Sequence, residues 1–217
     1  MNVWAIIPVK PSRDSKSRLA RILTAGERSE LTRYILSRTL EVLGDVPTVK
    51  RSLVVSRDSG ILKLARQHGA LTYDESANQD LNVALTRATH IAAAQKASCA
   101  LILPADLPFI TADDVIAVIE AASPESCGGG NGFLSRKRGL AICSDDEQNG
   151  TNALLVCPPT GFNFQYGPGS FQRHLDEATR LGLAHCIVDV PGIQFDLDTE
   201  EDYQAYLARQ SESLVRS

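Results

Sequence analysis

Short apolar runs alternate along the chain with longer segments whose apolar residues recur at helical spacing. Each run ends at turn residues, which is the pattern of a strand buried on both faces of a sheet. This pattern predicts strands at residues 3–9, 51–56, 70–73, 99–103, 139–143, 153–157 and 185–190.

The longer segments between the strands are predicted to be helices. In residues 27–43, for example, Leu31 and Ile35 lie on one helical face, and Gly26 and Gly44 flank the segment. Further helices are predicted at residues 61–68, 80–97, 111–121, 171–181 and 200–208.

Strands separated by helices of this length are typical of parallel βαβ units. The sequence therefore predicts an α/β fold in which residues 1–217 form a single Rossmann-like domain around a mostly parallel central sheet. Residues 123–138, SPESCGGGNGFLSRKR, interrupt the alternation with glycine, serine and basic residues. They are predicted to form a flexible loop within the domain.

A cluster of cations follows the first predicted strand. Within twelve residues the chain carries Lys10, Arg13, Lys16, Arg18 and Arg21. Pro8 and Pro11 disfavour a helix at the start of this loop. Open α/β sheets bind ligands at the carboxyl ends of their strands, so the cluster predicts a polyphosphate site. A solvated face is the alternative, but a chain with 22 basic and 26 acidic residues has no generally basic surface.

Acidic residues follow two other predicted turns. Asp106 lies in LPADLP after the fourth strand, and Asp196 and Asp198 alternate in FDLDTEED. Mg²⁺ is typically held by one or two carboxylates plus substrate phosphates, so these acids predict a single metal site. The alternatives are that Asp106 only caps a turn and that the late acids only begin a helix.

Two polar turns are candidates for a second anionic ligand. Residues 149–152 precede an apolar strand, and residues 167–170 end at Ser170, the predicted N-cap of a helix. The amide groups and positive dipole end of a helix N-terminus attract anions. A purely structural cap at Ser170 is the alternative.

Composition excludes several classes of protein. The chain has 43% apolar residues and a net charge of −4, without a run long enough to span a bilayer or the order of a signal peptide. A cytoplasmic protein that binds neither membrane nor nucleic acid is expected.

The cysteines and histidines do not suggest a catalytic or zinc site. The cysteines are odd in number, lack CxxC spacing and are expected to be buried thiols rather than disulfides or zinc ligands: Cys99, Cys127, Cys143, Cys157 and Cys186. The histidines are scattered and are expected to be structural or at the surface: His68, His90, His174 and His185.

Five motifs occur in the order seen in the phospholactate guanylyltransferase family, which the chain resembles over nearly its whole length. They are IPVKPSRDSKSRLA, LPADLPF, NGTNALLVCPP, FQYGPGSFQRHLDEA and DLDT. The resemblance implies a nucleotide-diphospho-sugar transferase type of α/β fold. It also implies transfer of GMP from GTP to 2-phospho-L-lactate, phosphoenolpyruvate or 3-phospho-D-glycerate, with release of diphosphate, in deazaflavin coenzyme (factor 420) biosynthesis.

The resemblance also assigns roles to residues. The GTP phosphates would be held by Lys10, Arg13, Lys16 and Arg18, and Asn82 would lie near the nucleoside. Mg²⁺ would be bound by Asp106, Asp196 and Asp198, and Lys16 and Asp106 would be the catalytic residues. The acid substrate would contact Thr151, Gly167 and Ser170. Residues 123–138 depart from the family pattern in length and glycine content.

The expected partners are GTP and a small phospho-acid. A homodimer and the hand-over of a labile product to the next pathway enzyme are left open. Two alternative functions share the fold or the site: a molybdenum-cofactor or sugar-nucleotide type nucleotidyltransferase, and a non-catalytic nucleotide-binding regulator.

Overall fold

Seven strands form a single sheet in the part of the chain that the structure describes. The structure is a computed structural model that describes residues 1–11, 16–75, 80–122 and 139–215, the last four of these through their backbone only. The strands are β1 (Val3–Pro8), β2 (Val49–Ser56), β3 (Leu71–Asp74), β4 (Cys99–Ile102), β5 (Gly139–Ser144), β6 (Thr151–Cys157) and β7 (Ala184–Ile187).

The helices lie between these strands, as the sequence predicts. They are α1 (Ala25–Gly44), α2 (Ser59–Gln67), α3 (Leu81–Ala94), α4 (Ala112–Ala121), α5 (Ser170–Arg180), α6 (Pro191–Gln194) and α7 (Glu200–Val215), together with a 3-10 helix at Ser17–Arg21. The α1 helix begins at a capping box, in which the Thr24 hydroxyl accepts from the Glu27 amide and the Glu27 carboxylate accepts from the Thr24 amide.

The strand directions bring functional segments to one edge of the sheet. The order is β3-β2-β1-β4-β6-β5-β7, and the neighbouring pairs are parallel except for β4–β6 and β5–β6. Because β6 alone runs in the opposite direction, its first residue, Thr151, lies at the edge where β1 and β4 end. The mostly parallel α/β fold predicted from the sequence is confirmed.

Both faces of the sheet are covered by helices. In β1, Val3, Ala5 and Ile7 pack into a core with residues of α1, α2 and α4. The alternate residues Trp4 and Ile6 pack into a second core with residues of α3 and α5. This alternation explains why β1 is apolar at every position before its terminal proline, since a strand covered on both faces has no solvent-facing side.

A third, smaller cluster fixes the loop after β1. Leu19 of the 3-10 helix packs with Phe195 and Leu197, and Ile35 and Tyr206 complete the cluster. The cationic loop and the late acidic segment are therefore held together by apolar contacts, although they lie almost a whole chain apart in sequence.

The expectation that the cysteines are thiols is wrong for one pair. Cys99 and Cys157 form a disulfide with a Cα–Cα distance of 4.4 Å. They lie on adjacent antiparallel strands, one position beyond the Ala100–Val156 pair, so they face each other directly. No local spacing could reveal this pairing, because the two cysteines are 58 residues apart.

Some sequence predictions lie outside the described residues. These are the cation Arg13 and the flexible loop predicted at residues 123–138. No helix within the described residues combines the length and the apolar character that crossing a bilayer requires.

Candidate active site

Lys16 is a buried cation in the loop after β1. Its backbone is left-handed, with φ of 52°, and only 6% of the residue is exposed. The ammonium group donates a hydrogen bond to the carbonyl oxygen of Leu197. Burial lowers the pKa of Lys16, while Asp106 and Asp198 act in the opposite direction. A non-glycine residue in this backbone region is a form of strain that is concentrated at functional sites.

Asp106 presents a buried carboxylate oxygen without a protein partner. No hydrogen-bond donor among the described residues reaches its Oδ1. Burial raises the pKa of Asp106, Lys16 lowers it, and Asp198 raises it further. The backbone carbonyl of Asp106 accepts from the amide of Leu197 at 3.0 Å, so Leu197 links Asp106 to Lys16 through its two backbone groups.

Asp196 is held beside Asp106 by Asn152, the second residue of β6. The Asn152 side-chain amide donates to the carbonyls of Ile193 and Gln194, each at 3.0 Å, and lies 3.4 Å from Asp196 Oδ1. Burial, followed by the charge of Asp106, raises the pKa of Asp196 to about 6. Asn152 therefore fixes the segment that carries the late acids.

Asp198 faces the cationic loop from the other side. Its Oδ2 lies 3.2 Å from Arg18 Nη1 in an exposed ion pair. The start of α7 does not use Asp198 as a cap, because Asp202 accepts from the amides of Asp198 and Thr199 and the Asp202 amide donates to Thr199 Oγ1. The segment begins a helix and also leaves the Asp198 carboxylate directed at the site.

The acids do not form a complete metal cage by themselves. Among the described residues, no group of three or more His, Cys, Asp or Glu side chains could hold a metal ion. The unpaired Oδ1 of Asp106 nevertheless fits Mg²⁺, which needs only one or two carboxylates when substrate phosphates supply other ligands. Binding of a metal by Asp106, Asp196 and Asp198 stays a prediction.

A hydroxyl pair lies at the start of β6. Thr151 Oγ1 is 3.1 Å from Ser170 Oγ and 3.1 Å from His174 Nδ1. His174 Nε2 accepts the backbone amide of Gln165 at 3.0 Å. Thr151, Ser170 and His174 are all buried, and burial lowers the pKa of His174 to about 4.

The two polar turns that were predicted to bind the second anionic ligand, residues 149–152 and 167–170, contact each other in the structure. Asn149 Oδ1 accepts the Gly169 amide at 3.0 Å, and the Asn149 carbonyl accepts the Phe171 amide at 3.3 Å. The Ser170 amide donates to the Gly167 carbonyl. The amides of Gly169, Ser170 and Phe171 at this helix start are thus used inside the protein, so the side-chain hydroxyls are the candidate donors here.

The prediction that Ser170 is the N-cap is wrong. The N-cap is Gly169, whose φ of 74° is left-handed, and it has no side chain to cap the helix. Ser170 is the first helical residue, and its hydroxyl turns inward to Thr151. Gly167 also has a positive φ, 122°, which favours glycine at this predicted substrate position.

Asn82 connects α3 to the same loop. Its Oδ1 accepts the Tyr166 amide at 2.7 Å, and its side-chain amide donates to Asp80 Oδ1 at 3.1 Å and to the Tyr166 carbonyl at 3.4 Å. Asn82 therefore holds the residue before Gly167. Its predicted position near the nucleoside stays a prediction.

The structure joins most of the predicted residues through a continuous set of contacts. Hydrogen bonds run from Lys16 through Leu197 to Asp106, and Asn152 links the neighbouring Asp196 to β6 beside Thr151. Lys10 is exposed, although its charge acts on Asp106. The sequence analysis did not assign the contact of Asn152 with Asp196 or the contact of His174 with Thr151. The only signal in the sequence was that the two residues lie within the motifs NGTNALLVCPP and FQYGPGSFQRHLDEA.

A family model described as guanylyl transferase CofC like matches residues 3–213. The chain belongs to this family. The guanylyltransferase is 39% identical over 202 residues to the phosphoenolpyruvate guanylyltransferase of Rubrobacter xylanophilus, covering 93% of this chain and 92% of the relative. It is 36% identical over 210 residues to the protein of the same name from Roseiflexus castenholzii, covering 97% and 90%.

Solved structures show the same fold at low sequence identity. A nucleotidyl transferase from a Methanothermobacter species superposes with a TM-score of 0.68 and 11% identity, covering 98% of this chain and 99% of the other. The CMP:2-keto-3-deoxy-manno-octonic acid synthetase superposes with a TM-score of 0.65 and 11% identity, covering 98% and 100%. The predicted nucleotide-diphospho-sugar transferase type of fold is confirmed.

Family membership also confirms the predicted class of enzyme. The chain is an enzyme that transfers guanylyl groups. The family model and the curated relatives give no support to the alternatives of a non-catalytic nucleotide-binding regulator or a molybdenum-cofactor or sugar-nucleotide enzyme, and the solved structures share only the fold.

Proposed function

We propose that this guanylyltransferase transfers GMP from GTP to phosphoenolpyruvate and releases diphosphate. The observation that carries the proposal is that a buried Lys16 lies at the same sheet edge as a buried oxygen of Asp106 that no described residue reaches, and that its charge acts on Asp106. Relatives that bear the name phosphoenolpyruvate guanylyltransferase cover more than nine-tenths of this chain and support the choice of acceptor.

The acceptor needs no protein nucleophile. Its phosphate has a second pKa of about 6 and is largely dianionic near neutral pH. One phosphate oxygen attacks the α-phosphorus of GTP, a new P–O–P bond forms, and the bond from the α-phosphorus to the bridging oxygen breaks. The bonding electrons leave with diphosphate. The obstacle is repulsion between two polyanions, so positioning and electrostatic stabilisation supply the catalysis.

Lys16 and the acids have complementary tasks in this reaction. The ammonium group of Lys16 is held by the Leu197 carbonyl and would stabilise the negative charge of the transferring group. Asp106 would hold Mg²⁺ together with Asp198 or Asp196 and the GTP phosphates. Such an ion would neutralise phosphate charge and would fix the nucleotide for in-line attack. Lys10, Arg13 and Arg18 would add positive charge where the phosphates enter.

The acid substrate would bind at the turns after β5 and before α5. Thr151 and Ser170 supply hydroxyl groups there, and Gly167 lets the backbone approach the substrate closely. Asn152 connects this pocket to Asp196, so the acceptor would lie beside the nucleotide phosphates. Asn82 holds the Tyr166 backbone and would lie between the nucleoside and the acid.

The wider setting follows from the resemblance to enzymes of deazaflavin coenzyme biosynthesis. The product would contain a labile phosphate anhydride, which favours direct hand-over to the next enzyme. A homodimer and a cytoplasmic location are part of the same proposal.

The test is turnover of the purified protein with GTP, Mg²⁺ and each of three acids in separate reactions. Diphosphate release and the mass of the product are followed together with 2-phospho-L-lactate, phosphoenolpyruvate and 3-phospho-D-glycerate. We expect a GMP adduct with phosphoenolpyruvate at the highest kcat/KM. A folded sample that prefers another acid would contradict the choice of acceptor, and one that releases no diphosphate with any acid would contradict the reaction.

A further inference from the structure

His174 is a buried histidine that contacts Thr151 of the hydroxyl pair. It lies on α5, is completely inaccessible to solvent, and packs its ring against Tyr166 at 4.8 Å and Phe162 at 5.7 Å between ring centroids. The charges that act on it come from its own helix, Arg173 and Glu177. Among the described residues, its ring nitrogens have one partner each.

The backbone decides which nitrogen of His174 carries the proton. The amide of Gln165 can only donate, so Nε2 must accept and cannot be protonated. Burial lowers the pKa of His174 and keeps the ring neutral. The single ring proton therefore lies on Nδ1, where it is donated to Thr151 Oγ1 at 3.1 Å.

This tautomer determines what the hydroxyl pair can offer to a ligand. Thr151 and Ser170 have two hydroxyl protons, and the hydrogen bond between them at 3.1 Å uses one. Because His174 donates its own proton, the second hydroxyl proton stays available for an outside acceptor. With the opposite tautomer, Nδ1 would accept from Thr151, and both hydroxyl protons would be used inside the protein.

We propose that His174 is a positioning residue that makes the Thr151–Ser170 pair a hydrogen-bond donor to an oxyanion of the acid substrate. The Gln165 amide fixes the tautomer of His174, and His174 fixes the direction of the hydroxyl protons. This inference rests on the proposed function, because it takes the acid as the ligand of the two hydroxyls. It gives a task to a histidine that sequence reasoning regarded as structural.

The experiment uses two substitutions that separate the two nitrogens of the ring. His174→Asn places an amide donor near Thr151, in the position of Nδ1. His174→Gln places its amide near Gln165, in the position of Nε2, and leaves Thr151 without the donor. We expect His174→Gln to raise the KM for phosphoenolpyruvate about tenfold or more, since a hydrogen bond to a charged group is lost. His174→Asn should change that KM by about threefold or less.

The KM for GTP should stay within about twofold of the unsubstituted value in both variants, since the lost bond acts on the other substrate. The matched control is His90→Gln, an exposed histidine whose Nδ1 contacts only the Thr86 carbonyl of its own helix. It should leave both KM values unchanged. Equal increases in the KM for phosphoenolpyruvate in the two His174 variants would overturn the inference, because ring volume alone would then explain the effect.

A second measurement determines the tautomer in the unsubstituted protein, and the variants serve only to assign the His174 signal. Long-range ¹⁵N–¹H correlation spectra of the uniformly labelled protein report the tautomer of each of the four histidines, and the variants assign His174. Protonation at Nδ1 is expected, and protonation at Nε2 would overturn the inference even in a preparation without turnover. Absence of turnover in the unsubstituted protein would instead contradict the proposed function, so the two failures are distinguishable.

Discussion

The two halves of the candidate site treat burial in opposite ways. In the charged half, Lys16 is buried, both Lys16 and Asp106 have perturbed pKa values, and the buried Oδ1 of Asp106 has no partner among the described residues. In the neutral half, Thr151, Ser170 and His174 are buried and hydrogen-bonded to one another. One half is left incomplete until a ligand arrives, and the other is complete apart from a single hydroxyl proton.

This difference has a physical reason. Burying an unpaired charge costs far more free energy than burying a hydrogen-bonded hydroxyl. A fold therefore tolerates such a charge only where a binding partner of opposite charge offsets the cost. Phosphates and a divalent cation would repay it in the charged half. The neutral half carries no charge to be neutralised. Its proposed contribution is to direct a hydroxyl proton towards the acid substrate. We therefore expect substitutions in the charged half to affect turnover or GTP binding and those in the neutral half to affect acid binding.

The largest expected effect is that of Asp106→Asn. The change keeps the shape of the side chain, removes its charge, and should lower kcat by at least ~100-fold, the scale of losing an electrostatic stabiliser. The folded state should be as stable as before or more stable, because burial disfavours the charged carboxylate by more than the attraction of Lys16 favours it. Steady-state kinetics and urea unfolding of the same preparation measure both.

The matched control is Asp176→Asn, an exposed acid on α5 whose Oδ1 accepts only from Gln172 of the same helix. It should leave kcat unchanged within about twofold, as is usual for exposed sites. Near-normal turnover of Asp106→Asn would remove Asp106 from the catalytic residues. A large loss of stability together with the loss of turnover would instead indicate a structural role.

The neutral half should have its own signature in the dependence of stability on pH. The pKa of His174 is lowered to about 4 from an ordinary value of 6.5, so between these values the unfolded state binds the extra proton. The free energy of unfolding should therefore fall as the pH drops from about 6.5 towards about 4, by about 3 kcal/mol from this residue. The stability contribution of neutral His174 is fully present above pH 6.5.

Buried carboxylic acids such as Asp196 titrate with the opposite sign, because their folded pKa values are raised. The measurement is therefore the difference in urea unfolding free energy between the unsubstituted protein and His174→Asn across this pH range. The difference should be constant above pH 6.5 and should decrease below it. A difference that is flat throughout would show that His174 is not held neutral by the fold.

The sequence predicts the charged half better than the neutral half. Lys16 and Asp106 follow strands of the parallel part of the sheet, and the carboxyl ends of such strands share an edge. Their place in the fold therefore follows from the strand pattern alone. The burial of Lys16 does not, because it depends on Leu197, which lies 181 residues away in the chain.

The neutral half depends on a reversal of direction that the hydrophobic pattern does not encode. β6 is apolar along its length whichever way it runs, yet only the antiparallel direction brings Thr151 to this edge. The preference of serine for N-cap positions was also misleading at Ser170. The N-cap of α5 is the preceding residue, Gly169, and Ser170 is the first residue of the helix. The same pairing of β4 with β6 created the unexpected Cys99–Cys157 disulfide.

The smallest expected effects compare two cations of the same loop. Lys16→Met keeps the aliphatic part of a buried side chain and removes its charge, so the acids around it should repel GTP. We expect the KM for GTP to rise about tenfold, with a smaller change in the KM for the acid. Arg18→Gln removes a cation whose side chain is 71% exposed and paired with Asp198.

Exposed ion pairs of this kind contribute about 0–1 kcal/mol, so Arg18→Gln should raise the KM for GTP by about threefold or less. Its effect should shrink further as salt screens the pair, whereas the effect of Lys16→Met should persist because a buried charge is screened much less. Steady-state kinetics at low and high ionic strength provide the comparison. Equal increases in the KM for GTP in the two variants would mean that burial does not distinguish Lys16 from the other cations of its loop. The total positive charge of the loop, and not the burial of one cation, would then define the charged half of the site.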